Sequence, residues 1–185
     1  MADTATRMTA EQYYAITVEG DRKQLVEGEI IVNEPKAIHA HLQTQIAFAL
    51  ESWVRADDGR GVVLSPTDVY MDKHNVFGPD VLWFSEARRP SLSDAYPEWV
   101  PDLSVEIRSR STWRYDIGAK RAVYERGDVP ELWLVDHEAD SVLVYRRSTP
   151  KAKRFDVALE LTKGDTLESP HLPGFSLALE DLFRR

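Results

Sequence analysis

Short apolar segments on both sides of one helical segment are the feature of this sequence that most constrains its fold. LSVEI at 103–107 precedes a helical pattern over 114–126, and ELWLVD at 131–136 and SVLVYRR at 141–147 follow it. Short runs rich in Val, Leu, Trp and Tyr are typical of buried strands. The order of strand, helix and further strands predicts a mixed sheet rather than a doubly wound parallel sheet.

The first half of the chain contains the clearest helical pattern. Residues 37–55 carry apolar side chains three and four positions apart, which is typical of a helix with one buried face. Thr9 and Gln12 have the spacing of a capping box, which predicts a short first helix ending near Gly20. The remaining predictions are a hairpin in QLVEGEIIVNEP with a turn at Glu27-Gly28, strands at 61–64, 67–72 and 80–84, a turn at His74-Asn75, a loop over 85–100, a strand near 154–161 and a final helix near 178–184.

Composition limits the class of protein. The 185 residues, 43% hydrophobic and 29% charged, predict one α/β (α+β) domain over 1–185. The absence of cysteine excludes disulfides and thiolate metal sites. The chain shows neither the apolar run of a signal peptide nor a membrane span of about 20 apolar residues, so we expect a soluble, cytoplasmic protein. A net charge of -8 argues against broad binding to nucleic acid, although a local basic patch remains compatible with it.

Two carboxylates stand beside apolar strand patterns. Asp80 follows Pro79, whose ring restricts the backbone, and begins the VLWF segment, so it is either a turn aspartate or a functional one. Glu106 lies inside LSVEI, where a buried carboxylate costs several kcal/mol unless it is paired or bound to a cation. The alternative is that Glu106 and Ser104 face solvent, while Leu103 and Val105 point inward. The pattern alone leaves both alternatives open.

Asp116, Lys120 and Tyr124 are spaced four residues apart, so they lie on one face of the helix predicted over 114–126. Taken alone, Asp116 and Lys120 favour the interpretation of a surface ion pair, worth about 0.3–0.5 kcal/mol. Taken with Asp80 and Glu106, they form a set that is complete for phosphodiester hydrolysis. A Mg²⁺ ion takes one or two carboxylates plus waters and phosphate oxygens, and an ammonium can orient the attacking water.

Three segments in order, GPDVLWF, PDLSVEIRSRST and YDIGAKRAVYERGDVPELWLVD, resemble the Uma-two family of restriction endonucleases, within the PD-(D/E)XK nuclease superfamily. QLVEGEIIVNEP resembles the family's opening and KGDTLESPHLPGFSLALEDLF its end, so the resemblance covers nearly the whole chain. It implies a restriction-endonuclease-like core, a mixed β-sheet flanked by helices. It also implies a Mg²⁺- or Mn²⁺-dependent endonuclease that acts on nucleic acid, in the first place DNA.

The resemblance also implies roles for individual residues. Asp80 matches the family's metal-binding aspartate, and Glu106 matches the acid of the (D/E)XK strand. Arg108 stands where that motif has its lysine, and Lys120 matches a lysine that the family carries on the following helix. Asp116 matches the acid one turn before that lysine. The implied catalytic set is therefore Asp80, Glu106, Lys120 and Asp116, with the metal held by Asp80 and Glu106.

Further positions match accessory residues of the family. Glu29, or less closely Glu27, matches an accessory acid. His39 or His41 matches a histidine at the start of the long helix, and the sequence does not choose between them. Gln24 stands where the family often has Glu.

Two arginines mark a departure from the family, which follows its strand acid with a small, apolar segment. Arg108 and Arg110 either contact phosphates of the nucleic acid or fill the site and spoil it. The arginines and the acidic net charge favour an alternative function, a catalytically inactive nucleic-acid-binding or regulatory module on the same fold. For the endonuclease we expect a homodimer, because two sites related by a two-fold axis most simply cut both strands of a duplex.

Overall fold

A six-stranded mixed sheet is the central element of the computed structural model, which describes residues 7–18, 20–93, 97 and 99–184. Its strand order is β10-β9-β8-β7-β6-β3, and a second, four-stranded sheet has the order β2-β1-β5-β4. The strands are β1 (Lys23–Val26), β2 (Glu29–Val32), β3 (Val62–Leu64), β4 (Val69–Asp72), β5 (Asn75–Phe77), β6 (Val81–Phe84), β7 (Leu103–Ile107), β8 (Glu131–Asp136), β9 (Ser141–Arg146), β10 (Val157–Thr162), β11 (Thr166–Leu167) and β12 (Leu177–Ala178).

The helices flank this sheet. They are α1 (Ala10–Ile16), α2 (Ala37–Arg55), α3 and α4 (Leu179–Leu182). Helix α3 has three consecutive parts: Trp113–Tyr115, a π-helical turn at Asp116–Lys120, and Arg121–Arg126. Within the large sheet, β7 and β8 are parallel and the other neighbouring strands are antiparallel. Because parallel neighbours need a crossover connection, α3 lies between β7 and β8 in the chain. The mixed sheet flanked by helices that the sequence predicted is confirmed.

Both faces of the central strands β6, β7 and β8 are buried, each against a different layer. Alternate side chains of β6, β7 and β8, among them Val81, Val105 and Trp133, pack against α2 and the C-terminal segment. The intervening side chains, such as Leu82 and Leu134, pack against α3 and the four-stranded sheet. This arrangement explains why these strands read as nearly continuous apolar runs, since no face is left to solvent.

The predicted hairpin near the N-terminus is confirmed, and its turn shows why. Glu27 and Gly28 have φ angles of 51° and 82°, so both occupy the left-handed region that a tight two-residue hairpin turn requires. The flanking strands pair from Lys23 with Val32 to Val26 with Glu29. The capping box at Thr9 and Gln12 is also present.

Several predicted boundaries differ from the observed ones. The first helix ends at Ile16, not near Gly20, because Thr17 is already extended. Asn75 begins strand β5 instead of forming a turn, so the turn occupies the two residues before it. The predicted loop over 85–100 contains one turn of 3-10 helix at Glu86–Arg88, and its residues 94–96 and 98 lie outside the described residues. None of the helices in the described part of the chain combines the length and hydropathy that a membrane span needs.

Candidate active site

Asp80 lies one residue before β6 and is only 4% exposed. Its carboxylate oxygen Oδ2 accepts hydrogen bonds from the backbone N–H of Ile107, at 2.7 Å, and from Nε2 of His39, at 3.1 Å. The Asp80 backbone N–H donates to the carbonyl of Val105, and the Gln43 side-chain amide donates to the Asp80 carbonyl, each at 2.9 Å. Asp80 is therefore a buried carboxylate fixed beside the ends of two strands.

The contact with Asp80 engages one nitrogen of the His39 ring. Nε2 lies 3.1 Å from the Asp80 carboxylate, which leaves Nδ1 as the ring nitrogen that is not engaged there. His39 is buried, and its Nδ1 has no hydrogen-bond partner among the described residues. His41, two residues further along α2, is exposed. The geometry thus brings His39, and not His41, to Asp80.

Glu106 extends from the same sheet toward α3. Its Oε1 lies 2.6 Å from Nζ of Lys120 and also accepts a hydrogen bond from the hydroxyl of Tyr124. The Lys120 ammonium lies 2.8 Å from Oδ1 of Asp116, and Thr112 donates to Oδ2 of Asp116 at 3.0 Å. Glu106, Asp116, Lys120 and Tyr124, called the acid–lysine cluster below, are all buried. The two open alternatives, a solvent-facing Glu106 and a surface Asp116–Lys120 pair, are therefore wrong.

The strand register brings the two halves of the site together. Strands β6 and β7 pair antiparallel with Val81 opposite Val105, so Asp80 and Glu106 are the next pair in that register. The side chain of Glu106 leaves the sheet on the face that α3 covers, because alternate residues of a strand point to opposite faces. On α3, the π-helical turn spans Asp116 to Lys120, so it contains the lysine that contacts Glu106 and the aspartate that contacts this lysine. Such turns are rare and recur at functional sites.

Burial and charge act against each other inside the acid–lysine cluster. Burial raises the pKa values of Glu106 and Asp116, although the Lys120 ammonium lowers both, and the charge of Asp80 raises them further. Burial alone would lower the pKa of Lys120, but Asp116 and Glu106 raise it above its ordinary value. Burial, followed by the charge of Glu106, raises the pKa of Tyr124. The site therefore holds buried carboxylates in excess of buried ammonium groups.

This charge imbalance fits a hard divalent cation. The available donors are carboxylate oxygens, which are the ligands of Mg²⁺ and Mn²⁺. Across the described ranges, no three His, Asp or Glu side chains are grouped as a ready metal site. Asp80 and Glu106 would therefore supply two ligands, with the rest of the shell left to water and phosphate, as Mg²⁺ sites commonly arrange it.

A cavity of about 300 Å³ opens beside Asp80. Asp80 and His39 line it, together with Gln24, Gln43 and Asp68, whereas the acid–lysine cluster does not. Burial raises the pKa of Asp68 to about 6. Gln43 and Asp68 are not among the site residues that the sequence predicted. Gln43 carried a signal, because it lies four residues after His39 on the same helix face, but nothing in the local sequence marked Asp68.

The predicted accessory acids lie elsewhere. Glu27 and Glu29 are exposed on the first hairpin and do not line the cavity. Gln24, from the same hairpin, is buried and reaches the cavity wall. The hairpin therefore contributes a neutral amide to the site, at the position where the resembling family often has Glu.

The two arginines after Glu106 differ in their surroundings. Arg108 places Nη1 2.7 Å from Asp136 and Nη2 2.7 Å from Glu138, and its guanidinium lies over the ring of Trp113. Arg110 is exposed. Arg108 is thus held by Asp136, the last residue of β8, and by Glu138 in the turn that follows, while Arg110 remains accessible to a ligand.

A mixed sheet flanked by helices, with an aspartate, a glutamate and a lysine gathered where two neighbouring strands meet, defines a restriction-endonuclease-like protein. The chain belongs to the Uma2 family, the Uma-two family of the resemblance above, whose model is described as "Putative restriction endonuclease" and matches residues 10–180. No curated protein matches the chain. Among solved structures, the chain is similar to "a putative nuclease belonging to DUF820" from Anabaena variabilis ATCC 29413. The TM-score is 0.81 at 17% identity, over 95% of this chain and 97% of that one, which shows a shared fold.

Proposed function

We propose that this protein is a metal-dependent endonuclease that hydrolyses phosphodiester bonds of nucleic acid, with DNA as its substrate and Mg²⁺ or Mn²⁺ as its cofactor. The convergence of Asp80, Glu106 and Lys120 at the paired ends of β6 and β7 carries this proposal. The membership in a nuclease family supports it. The fold alone would not, since one fold hosts many functions.

The roles follow from the contacts. Asp80 and Glu106 would hold the cation, which supplies Lewis acidity and offsets negative charge on the phosphate. Lys120, held by Asp116 and fully buried, favours the ionised form of Glu106 that a cation needs. We propose that its ammonium also orients the attacking water once the Glu106 carboxylate has turned toward Asp80. Arg110 is exposed and is the arginine we assign to the phosphate backbone.

Metal binding provides the first test. In a calorimetric titration with Mn²⁺ alone, we expect the wild type to bind and Glu106→Gln to bind at least about tenfold more weakly, because the amide keeps the shape but not the charge. Glu138→Gln serves as the matched control, because the Glu138 carboxylate is exposed and pairs with Arg108, away from the proposed metal ligands. The same samples are then assayed for cleavage of duplex DNA, single-stranded DNA and RNA with Mg²⁺ and with EDTA.

The outcomes separate the endonuclease from an inactive nucleic-acid-binding or regulatory module. Cleavage that requires Mg²⁺ and fails in Glu106→Gln supports the endonuclease. Binding of nucleic acid with neither Mn²⁺ binding nor cleavage would favour the inactive module, which has no use for paired carboxylates. The mass of the complex between the protein and a DNA duplex tests the expected homodimer, because two sites related by a two-fold axis most simply cut both strands.

His39 and His41 offer a matched pair of substitutions on one helix. We expect His39→Ala to lower the cleavage rate by about 10–100-fold, because Asp80 loses the partner that orients its carboxylate. His41→Ala should leave the rate unchanged, since its side chain is exposed. Initial rates at saturating Mg²⁺ measure both. Equal losses in the two variants would remove His39 from the site.

A further inference from the structure

We propose that the cavity beside Asp80 binds one unstacked nucleobase that carries an amino group, so that the substrate presents an unpaired nucleotide to the enzyme. This inference rests on the proposed function, which it extends from nucleic acid in general to a strand with an accessible base. It is drawn from polar atoms of the cavity wall that lack partners in the described part of the chain.

Gln24 is the first of these wall residues. It is only 4% exposed, and its amide nitrogen donates a long hydrogen bond, 3.5 Å, to the carbonyl of Gly78. That contact directs the nitrogen toward the backbone and leaves Oε1 buried with no partner among the described residues. A buried amide oxygen without a donor is unfavourable. Since Gln24 lines the cavity, a donor brought by a ligand would satisfy it.

A second wall residue, Asn33, presents the same kind of atom. Its Oδ1 is buried and has no partner in the described ranges. Nδ1 of His39 is also buried without a partner there, since only Nε2 of the ring contacts Asp80. Gln43 resembles Gln24, since its amide nitrogen uses one N–H on the carbonyl of Asp80 and its oxygen is available as an acceptor. The buried amide oxygens without partners therefore favour a ligand that brings hydrogen-bond donors.

The size of the cavity selects among donor-rich ligands. A volume of about 300 Å³ admits one base with its sugar but not a stacked base pair within a duplex. Cytosine, adenine and guanine carry an exocyclic amino group with two N–H donors, whereas thymine has none and offers only its ring N–H, which lies between two carbonyl oxygens. The exposed Arg22 and the partly buried Lys23 also line the cavity and supply positive charge for the attached phosphates.

The position of the cavity connects base binding with hydrolysis. Asp80 belongs to both the cavity wall and the proposed metal ligands, so a bound base lies next to the phosphate to be cut. Taking a base out of a duplex costs stacking and pairing energy, which a single strand does not pay. A net charge of -8 also weakens the phosphate contacts that duplex binding depends on. Both facts favour single-stranded or locally unpaired substrates.

The experiment measures binding without metal, so that cleavage cannot interfere. Fluorescence anisotropy in EDTA compares short labelled single strands of dC and of dT on the wild type, Gln24→Met, Gln24→Glu and Gln45→Met. We expect the wild type to bind the dC strand about tenfold more tightly than the dT strand. Gln24→Met removes the acceptor at similar volume and should abolish the preference. Gln24→Glu keeps an acceptor oxygen and should retain the preference for the dC strand. Gln45→Met should retain this preference too, because Gln45 is exposed on α2.

Each outcome decides the inference. Equal affinity of the wild type for the two strands, no binding of either strand, or a preference that survives in a folded Gln24→Met would overturn it. Cleavage measured separately in Mg²⁺ keeps the two proposals apart. A base preference without cleavage leaves the base site standing and removes the nuclease. Cleavage without a base preference supports the nuclease and removes the base site.

Discussion

Lys120→Met is expected to lower the free energy of unfolding by about 3–5 kcal/mol. The Lys120 ammonium lies between Glu106, at 2.6 Å, and Asp116, at 2.8 Å, and has no exposed surface. Met replaces the aliphatic chain but leaves two buried carboxyl groups facing each other, with the charge of Asp80 nearby. Urea denaturation at neutral pH, followed by circular dichroism, measures the loss.

Two comparisons make this prediction specific to buried charge. The triple variant Lys120→Met, Glu106→Gln, Asp116→Asn should recover most of the lost stability, because it removes the unpaired charges together with the cation. Lys163→Met, in the exposed turn between β10 and β11, should change stability by less than about 0.5 kcal/mol. A Lys120→Met protein as stable as the wild type would show that the two carboxyl groups are neutral and that no ion pair is present.

Asp80→Asn is expected to reduce the rate of nucleic-acid cleavage by roughly 10³-fold while the protein stays folded. The amide oxygen can still accept the hydrogen bonds from Ile107 and His39, so the end of β6 keeps its geometry. The lost group is the negative charge that the proposed site needs to hold Mg²⁺. Initial cleavage rates over a range of Mg²⁺ concentrations measure the effect and show whether added metal restores activity.

Asp102→Asn is the matched control for Asp80→Asn. The Asp102 carboxylate accepts a hydrogen bond from the backbone N–H of Ser85 at 2.8 Å and lines no part of the Asp80 cavity. Its replacement should leave the cleavage rate within roughly twofold of the wild type. A wild-type rate in Asp80→Asn, confirmed by thermal unfolding to be folded, would place the hydrolytic centre away from Asp80.

Local patterns determined most of the secondary structure. The helix predicted over 37–55 is α2, and the LSVEI and ELWLVD segments are β7 and β8 with unchanged bounds. These elements are long or strongly apolar, so their own periodicity identifies them. Strand β5, Asn75–Phe77, was missed because three residues carry no period of their own. Its pairing with β1 and β4 exists only in the folded protein.

The sequence also determined which residues carry the candidate chemistry, because the order of its motifs resembles one family and places Asp80, Glu106 and Lys120 within them. It did not determine their surroundings. Alternation along β7 shows that Glu106 and Ser104 share a face, but not that α3 covers it. Only the tertiary structure chose His39 over His41 and brought Gln24 to the cavity. Burial and the resulting pKa shifts come from packing between segments that are distant in the chain. A local pattern indicates which residues share a face, but it does not indicate which element covers that face.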